Sequence, residues 1–145
     1  YFFENQNVSM SEIGWRLIKA IENLIKQIAL DTYTTLIVSK LSTKRDTLEV
    51  LQIGDSTVAV VRKGSMIFKT EPIYVGHDAP SVFYKERTIE ARHAALYSTP
   101  IEKGDVIITA SVGIFDNLWP RQIEKLIGSA ETMAELIYRT TNNGA

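Results

Sequence analysis

The sequence predicts a single α+β domain with antiparallel strands. Three features predict it. An apolar stripe recurs every three or four residues from Met10 to Ile28. Short β-branched runs, separated by Gly, Asp and Ser turns about ten residues apart, fill the stretch from Tyr33 to Thr70. Helical spacing returns only after Pro120. Helices segregated from strands indicate α+β and argue against an alternating parallel-sheet fold.

Tyr1-Phe2-Phe3 is an aromatic run compatible with the end of a strand, and Glu4-Asn5-Gln6-Asn7 is a polar turn. Ser9 followed by Glu12 reads as a capping box, in which hydroxyl and carboxylate take up orphan amides. Met10, Ile13, Leu17, Ile18, Ile21, Leu24, Ile25 and Ile28 then define the buried face of a helix about 30 Å long. Glu12, Arg16, Lys19, Glu22, Asn23 and Lys26 form its outer face. Strands are expected at Tyr33–Leu41, Thr47–Ile53, Thr57–Arg62 and Met66–Thr70, with turns at Lys44–Asp46, Gly54–Ser56 and Lys63–Ser65. Together they read as an antiparallel meander. In the second strand Leu48, Val50 and Gln52 face one way.

Pro72, Gly76 and Pro80 make Glu71–Arg87 a loop. Strands follow at Thr88–Thr99 and Asp105–Ala110. Pro120 suits the first turn of a helix, Ile123, Leu126 and Ile127 line one of its faces, and Gly128 ends it. Ser129 caps a further helix to about Thr140, with Met133, Leu136 and Ile137 inward. The tail Asn142–Ala145 carries no packing pattern.

A chain of 145 residues suits one domain, 1–145. Its 16 Lys and Arg against 17 Asp and Glu, with no basic run, carry no nucleic-acid footprint. With no cysteine, disulfides, thiol catalysis and thiolate metal sites are excluded. No apolar run approaches the ~20 residues of a membrane span. The first residue is Tyr1 rather than Met, which predicts an upstream segment, and with it any targeting sequence, cleaved or omitted.

Two spaced motifs carry a resemblance. One is Leu51-Gln52-Ile53-Gly54-Asp55-Ser56, followed by the strand Thr57–Arg62 and the turn Lys63-Gly64. The other is Lys103-Gly104-Asp105, the strand Val106–Ala110, then Ser111-Val112-Gly113-Ile114-Phe115-Asp116-Asn117. In order, spacing and strand context they resemble the metal-dependent serine/threonine phosphatases of the protein phosphatase 2C type. The Phe-Asp-Asn ending, and Asp78-Ala79-Pro80 in the middle loop, look most like the mitochondrial branch. The resemblance runs from about Met10 to Ile127. It implies two antiparallel sheets packed face to face and flanked by helices, a β-sandwich here truncated at both ends relative to the family.

The resemblance also implies a chemistry. Two Mn²⁺ or Mg²⁺ ions bind a bridging water, lower its pKa and aim it at a phosphate ester. Two such ions about 4 Å apart repel by roughly 17 kcal/mol at an effective dielectric of 20, so several carboxylates must surround them. The family's Ser/Thr-Asp-Gly element supplies one of these, and its position here holds Val112, which has no lone pair to offer. Asp55 matches an acid associated with a third, weaker metal, and Asp116 the acid that closes the element. The Asp-Gly pair expected before the long helix is replaced by Glu4-Asn5-Gln6-Asn7. The early-strand acid and the C-terminal Asp have no match. Asp55 and Asp116 are then remnants of a metal site with Val112 as its lost ligand.

Plainer roles also fit these residues. Asp55 reads as a turn residue bonding nearby amides, and Asp116-Asn117 as a cap for the following helix. His77-Asp78 has no ligand spacing to the other histidine, His93. Arg87 and Arg92 read as solvated surface before phosphate ligands, and Trp15 and Trp119 as packing or interface anchors. No nucleophile elbow or phosphate loop is present in the sequence.

Three functions are compatible with these readings. The first is a phosphatase 2C-like pseudoenzyme, without a cofactor, acting as a binding or structural subunit with protein partners in a larger assembly. The second is an active Mn/Mg-dependent serine/threonine phosphatase seen as a fragment or variant. The third is an unrelated α+β interaction module. Localisation is expected to be mitochondrial or cytoplasmic, with the resemblance favouring mitochondria. A truncated sandwich leaves sheet edges and an apolar face to be covered by a partner.

Overall fold

The computed structural model describes residues 9–28, 31–42, 44–75 and 79–129. Tyr1–Phe3, Glu4–Asn7, His77-Asp78, the helix expected up to Thr140 and the tail lie outside them.

Ser9 begins the first helix as expected, its Oγ accepting the Glu12 N–H at 3.2 Å. The helix, α1, runs Met10–Gln27. Its buried residues are Met10, Gly14, Ile18, Glu22 and Ile25. The stripe is therefore rotated from the predicted one. Leu24 and Ile28 are exposed, whereas Glu22, expected on the outer face, is 6% exposed. A carboxylate tolerates that burial because it is paired: its Oε1 accepts the Ile89 N–H at 2.6 Å and its Oε2 accepts from Lys19 Nζ at 2.9 Å. Burial pushes the Glu22 carboxyl up, but those bonds and the Lys19 and Lys26 charges outweigh it and leave it below its ordinary value.

The strands are β1 Leu36–Ser42, β2 Thr47–Ile53, β3 Thr57–Arg62 and β4 Ser65–Lys69, then β5 Tyr74–Val75 and β6 Ala79–Pro80, then β7 Ala95–Pro100 and β8 Val106–Ala110. They do not form the predicted meander. β1, β2 and β7 make one antiparallel sheet, and β4, β3 and β8 a second. Two hairpins hold as expected: β1 with β2, and β3 with β4 through Lys63-Gly64. Both turn residues have positive φ, 48° and 80°, which matches the right-handed twist of the flanking strands. Gly54–Ser56 is no hairpin turn, because it carries the chain from one sheet to the other.

Strand β2 shows why. Leu48 and Val50 pack against Val58 and Val60 of β3, together with Ile37, Phe68, Tyr97, Ile101 and Ile107, between the sheets. Leu51 and Ile53 pack on the opposite side against Met10, Ile18 and Ile25 of α1, with Phe83 and Ile89. Both faces of β2 are buried, and each such aliphatic side chain contributes about 1.5–3 kcal/mol. Trp15 packs at the edge of the α1 cluster. On the other sheet Ala59 and Val61 are also buried. There α2, Val112–Asn117, lies against β8 and α3, Pro120–Ser129, against β4, with Leu118 and Ile123 buried. The result is helix, sheet, sheet, helix in four layers.

Three further expectations are corrected. The loop Glu71–Arg87 contains β5 paired with β6, and a bridge from Phe83 to Thr34. The strand expected over Thr88–Thr99 begins only at Ala95, because a 3-10 turn at Ala91–His93 precedes it. Helix α3 continues through Gly128, expected to end it, to Ser129, whose Oγ donates to the Leu126 carbonyl; the helix that Ser129 was expected to cap lies outside the described residues.

Candidate functional site

The two motifs meet at one end of the sandwich. Thr57 pairs with Ala110 where the β3–β8 ladder closes. Two residues beyond that pair lie Asp55, before β3, and Val112, after β8. On β1, Leu36 pairs with Ile53, so Thr35 comes beside Gly54. The Thr35 and Ser56 hydroxyls are 2.9 Å apart and join the two sheets there. Gly54 is needed at this corner. Its φ is +102°, and a Cβ would lie 2.4 Å from Thr35 Cγ2 and 2.9 Å from the Ser81 carbonyl oxygen.

The segment after β8 is helix α2. Ser111 precedes it in extended conformation, and Val112 is its first residue, half-buried. Asp116 falls one turn after Val112, on the same helix face, and is exposed. It does not cap the next helix. Asn117 Nδ2 donates back to the Gly113 carbonyl at 2.6 Å, and the start of α3 is served by Gln122 Oε1, which accepts the Trp119 N–H at 2.7 Å. Phe115 lies under the Lys69 ammonium at 5.3 Å, which ties α2 to β4. Trp119 is 78% exposed, so it is no packing anchor, unlike Trp15.

Asp55 does not bond nearby amides as a turn residue would. Among the described residues its carboxylate makes no hydrogen bond, and only its backbone carbonyl accepts, from Thr57 Oγ1 at 3.4 Å. The fold thus gathers Asp55, Val112 and Asp116 at one end, with the valine between two carboxylates in the motif order. Divalent magnesium or manganese requires several oxygen donors. Among the described residues no three His, Cys, Asp or Glu side chains are grouped to hold a metal ion. This donor set does not fit a dinuclear centre.

The other flagged residues are placed elsewhere. Arg87 is half-buried rather than solvated, its guanidinium stacked 4.7 Å from the Tyr84 ring centroid. Arg92 is exposed and pairs with Glu90 at 2.9 Å. His93 is 4% exposed and takes part in a turn of its own. At the far end of the sandwich a hollow of about 510 Å³ is lined by Leu41, Ser42, Asp46, Ile101, Glu102 and Lys103. Beside it Asp105 is fully engaged. Arg62 donates to it through Nε and Nη2, each at 2.8 Å, and the Glu102 N–H adds a third bond at 2.8 Å. The Arg62 guanidinium, helped by that amide, holds the Asp105 carboxyl down to about 2. Sequence reading missed Thr35, Lys69 and Arg62 as partners of the motifs. Lys69 and Arg62 lie on strands and Thr35 just before one, and strand alternation says which face a residue takes but not what it meets.

No family model matches the chain. Among curated proteins it is 31% identical over 83 residues to "Probable protein phosphatase 2C 71" of Oryza sativa subsp. japonica, covering 57% of this chain and 18% of that one. It is 34% identical over 106 residues to "Protein phosphatase 2C homolog 7, mitochondrial" of Saccharomyces cerevisiae, covering 61% and 31%. The chain thus spans less than a third of the length of these curated relatives. Among solved structures, the photosystem II phosphatase PBCP superposes with a TM-score of 0.75 at 22% identity, over 92% of this chain and 53% of that one. No helix among the described residues is long and apolar enough to cross a membrane. This chain is a homologue of the protein phosphatase 2C proteins, and its two antiparallel sheets with flanking helices are part of their fold.

Proposed function

We propose that this chain works as a phosphatase 2C-like pseudoenzyme, a binding or structural subunit in a larger assembly rather than a catalyst. Val112 carries this reading. It is half-buried, two residues beyond the Thr57–Ala110 pair, at the sheet end where the family's chemistry would need a carboxylate. Two carboxylates do not balance two divalent ions against repulsion of roughly 17 kcal/mol. Isothermal titration of the full-length protein with Mn²⁺ tests this. Weak or no uptake is expected, and tight binding of two ions would overturn the reading.

The partner is a protein. Each sheet is three strands wide, so among the described residues β1, β7, β4 and β8 each pair on one side only. Such edges favour a stable partner. Light scattering of the purified protein checks this, with a monodisperse monomer as the opposing result. A mitochondrial location draws support from the yeast relative's name, and organelle fractionation tests it.

A second reading has its own support. The relatives are named protein phosphatases, and this chain spans only a fraction of their length, so an active Mn/Mg-dependent serine/threonine phosphatase takes its remaining ligands from other segments. Hydrolysis of p-nitrophenyl phosphate that a chelator abolishes, in the full-length protein, would replace the first reading with this one.

A further inference from the structure

Segment 81–94, between β6 and β7, is held at three places. Ile89 N–H reaches the buried Glu22 carboxylate of α1 at 2.6 Å. Phe83 and Thr34 exchange backbone bonds of 2.8 and 3.2 Å, one residue before Thr35. Ser81 N–H donates to the Ile73 carbonyl at 2.7 Å, Ile73 N–H donates to the Gly54 carbonyl at 3.0 Å, and the Ser81 carbonyl packs on Gly54. The segment therefore backs the corner that carries Asp55 and Ser56.

His93 closes the segment on itself. Its backbone carbonyl accepts the Ser81 hydroxyl at 3.1 Å. Its Nδ1 accepts the Glu90 N–H at 2.9 Å, while its own N–H returns to the Glu90 carbonyl at 2.9 Å. An Nδ1 that accepts an N–H has no proton, so the neutral ring carries its proton on Nε2. An imidazolium would set Nδ1–H against the Glu90 N–H, donor against donor, inside a site where the residue is 4% exposed.

We propose that His93 is a proton-sensitive clasp. While neutral it holds segment 81–94 against α1 and the Gly54–Ser56 corner, and protonation expels it and frees that segment ahead of the rest of the fold. The surrounding charges agree. Burial pushes the imidazole below its ordinary value, Arg92 and Arg87 push it further, and Glu90 alone opposes them. From α1 the segment meets Glu22, already taken up by Lys19 and the Ile89 N–H. The sign follows: the clasp contributes fully above the free imidazole value and is lost as pH falls below it.

Amide hydrogen exchange by NMR tests it, on the full-length protein at about pH 7.5 and about pH 5, with intrinsic rates removed. In the wild type the Ile89, Glu90 and His93 amides are expected to lose protection several-fold at the lower pH, while Val50 and Val60 keep theirs. In His93→Asn the loss disappears, because Oδ1 replaces Nδ1 as an acceptor that does not titrate. Equal loss in both proteins, no loss in the wild type, or loss spread evenly over the chain would each overturn the proposal. Should the variant fail to fold, the wild-type imidazole resonances decide. A proton on Nε2 and titration below the free value support the clasp, and a proton on Nδ1 or an ordinary titration refutes it.

Discussion

At Gly54-Asp55 the glycine is the constrained residue and the acid is free. A Cβ on Gly54 would meet Thr35 at 2.4 Å, yet the Asp55 carboxylate makes no hydrogen bond among the described residues. At Gly104-Asp105 the roles are reversed. Gly104 has φ +95° and open space where a Cβ would stand, while the Asp105 side chain is 3% exposed and takes up Arg62 and the Glu102 amide. The same dipeptide is a packing corner in one place and an ion-pair anchor in the other. What decides is the residue facing the carboxylate: Arg62, at the end of β3, for Asp105, and none of the described residues for Asp55. An acid consumed by a guanidinium cannot serve a ligand, so of these two aspartates only Asp55 is left unspent among the described residues.

The comparison breaks most readily at the glycines. Gly54→Ala is expected to cost about 3 kcal/mol, combining a left-handed backbone with a clash against Thr35 and Ser81. Gly104→Ala suffers only the backbone conformation, about 1 kcal/mol. Urea midpoints measure both, and equal losses would show that Gly54 is not the packing corner.

The acids come next. Removing the Asp105 charge with Asp105→Asn leaves Arg62 with only the exposed Glu102 as an acid partner and destabilises the protein at neutral pH. The carboxyl is held down to about 2 from an ordinary 3.8, so its stabilisation is present above the higher value and disappears as pH falls toward the lower. Thermal melts of wild type and Asp105→Asn are therefore expected to converge across that window. Parallel curves would dismiss the ion pair as a stabiliser.

Smaller effects sharpen the Asp55 end. Val112→Asp is expected to cost about 1 kcal/mol in metal-free buffer, and calorimetry should still find no tight uptake of two Mn²⁺ ions, because one added carboxylate leaves the donor set short. Asp55→Asn should change the urea midpoint by less than about 0.5 kcal/mol, as expected of an acid without partners.

Much of this was legible from local pattern. Ser9 and Glu12 announce the start of α1, Lys63-Gly64 announces a hairpin, and the order of the two motifs announces the family. The failures share one cause. A carboxylate on a helix is ordinarily solvated, which predicts Glu22 outside, and its burial is tolerable because the Ile89 amide, far away in sequence, joins Lys19 in pairing it. Gly-Asp-Ser at Gly54–Ser56 suits a tight hairpin turn. The choice between turning back and crossing to a second sheet depends on β2 being buried on both faces. Val112–Asn117 forms a helix that no apolar periodicity marks, and Phe115 on it lies under Lys69 of β4.

The sequence by itself determined the α+β class, the positions of most strands and the apolar residue Val112 inside the second motif, since periodicity, turn chemistry and residue identity are local. Tertiary structure alone decided that the two motifs share one sheet end, that Asp105 is spent on Arg62 and that Asp55 is not. Those outcomes depend on strand register and on partners tens of residues apart, and no local pattern encodes which side chains meet there.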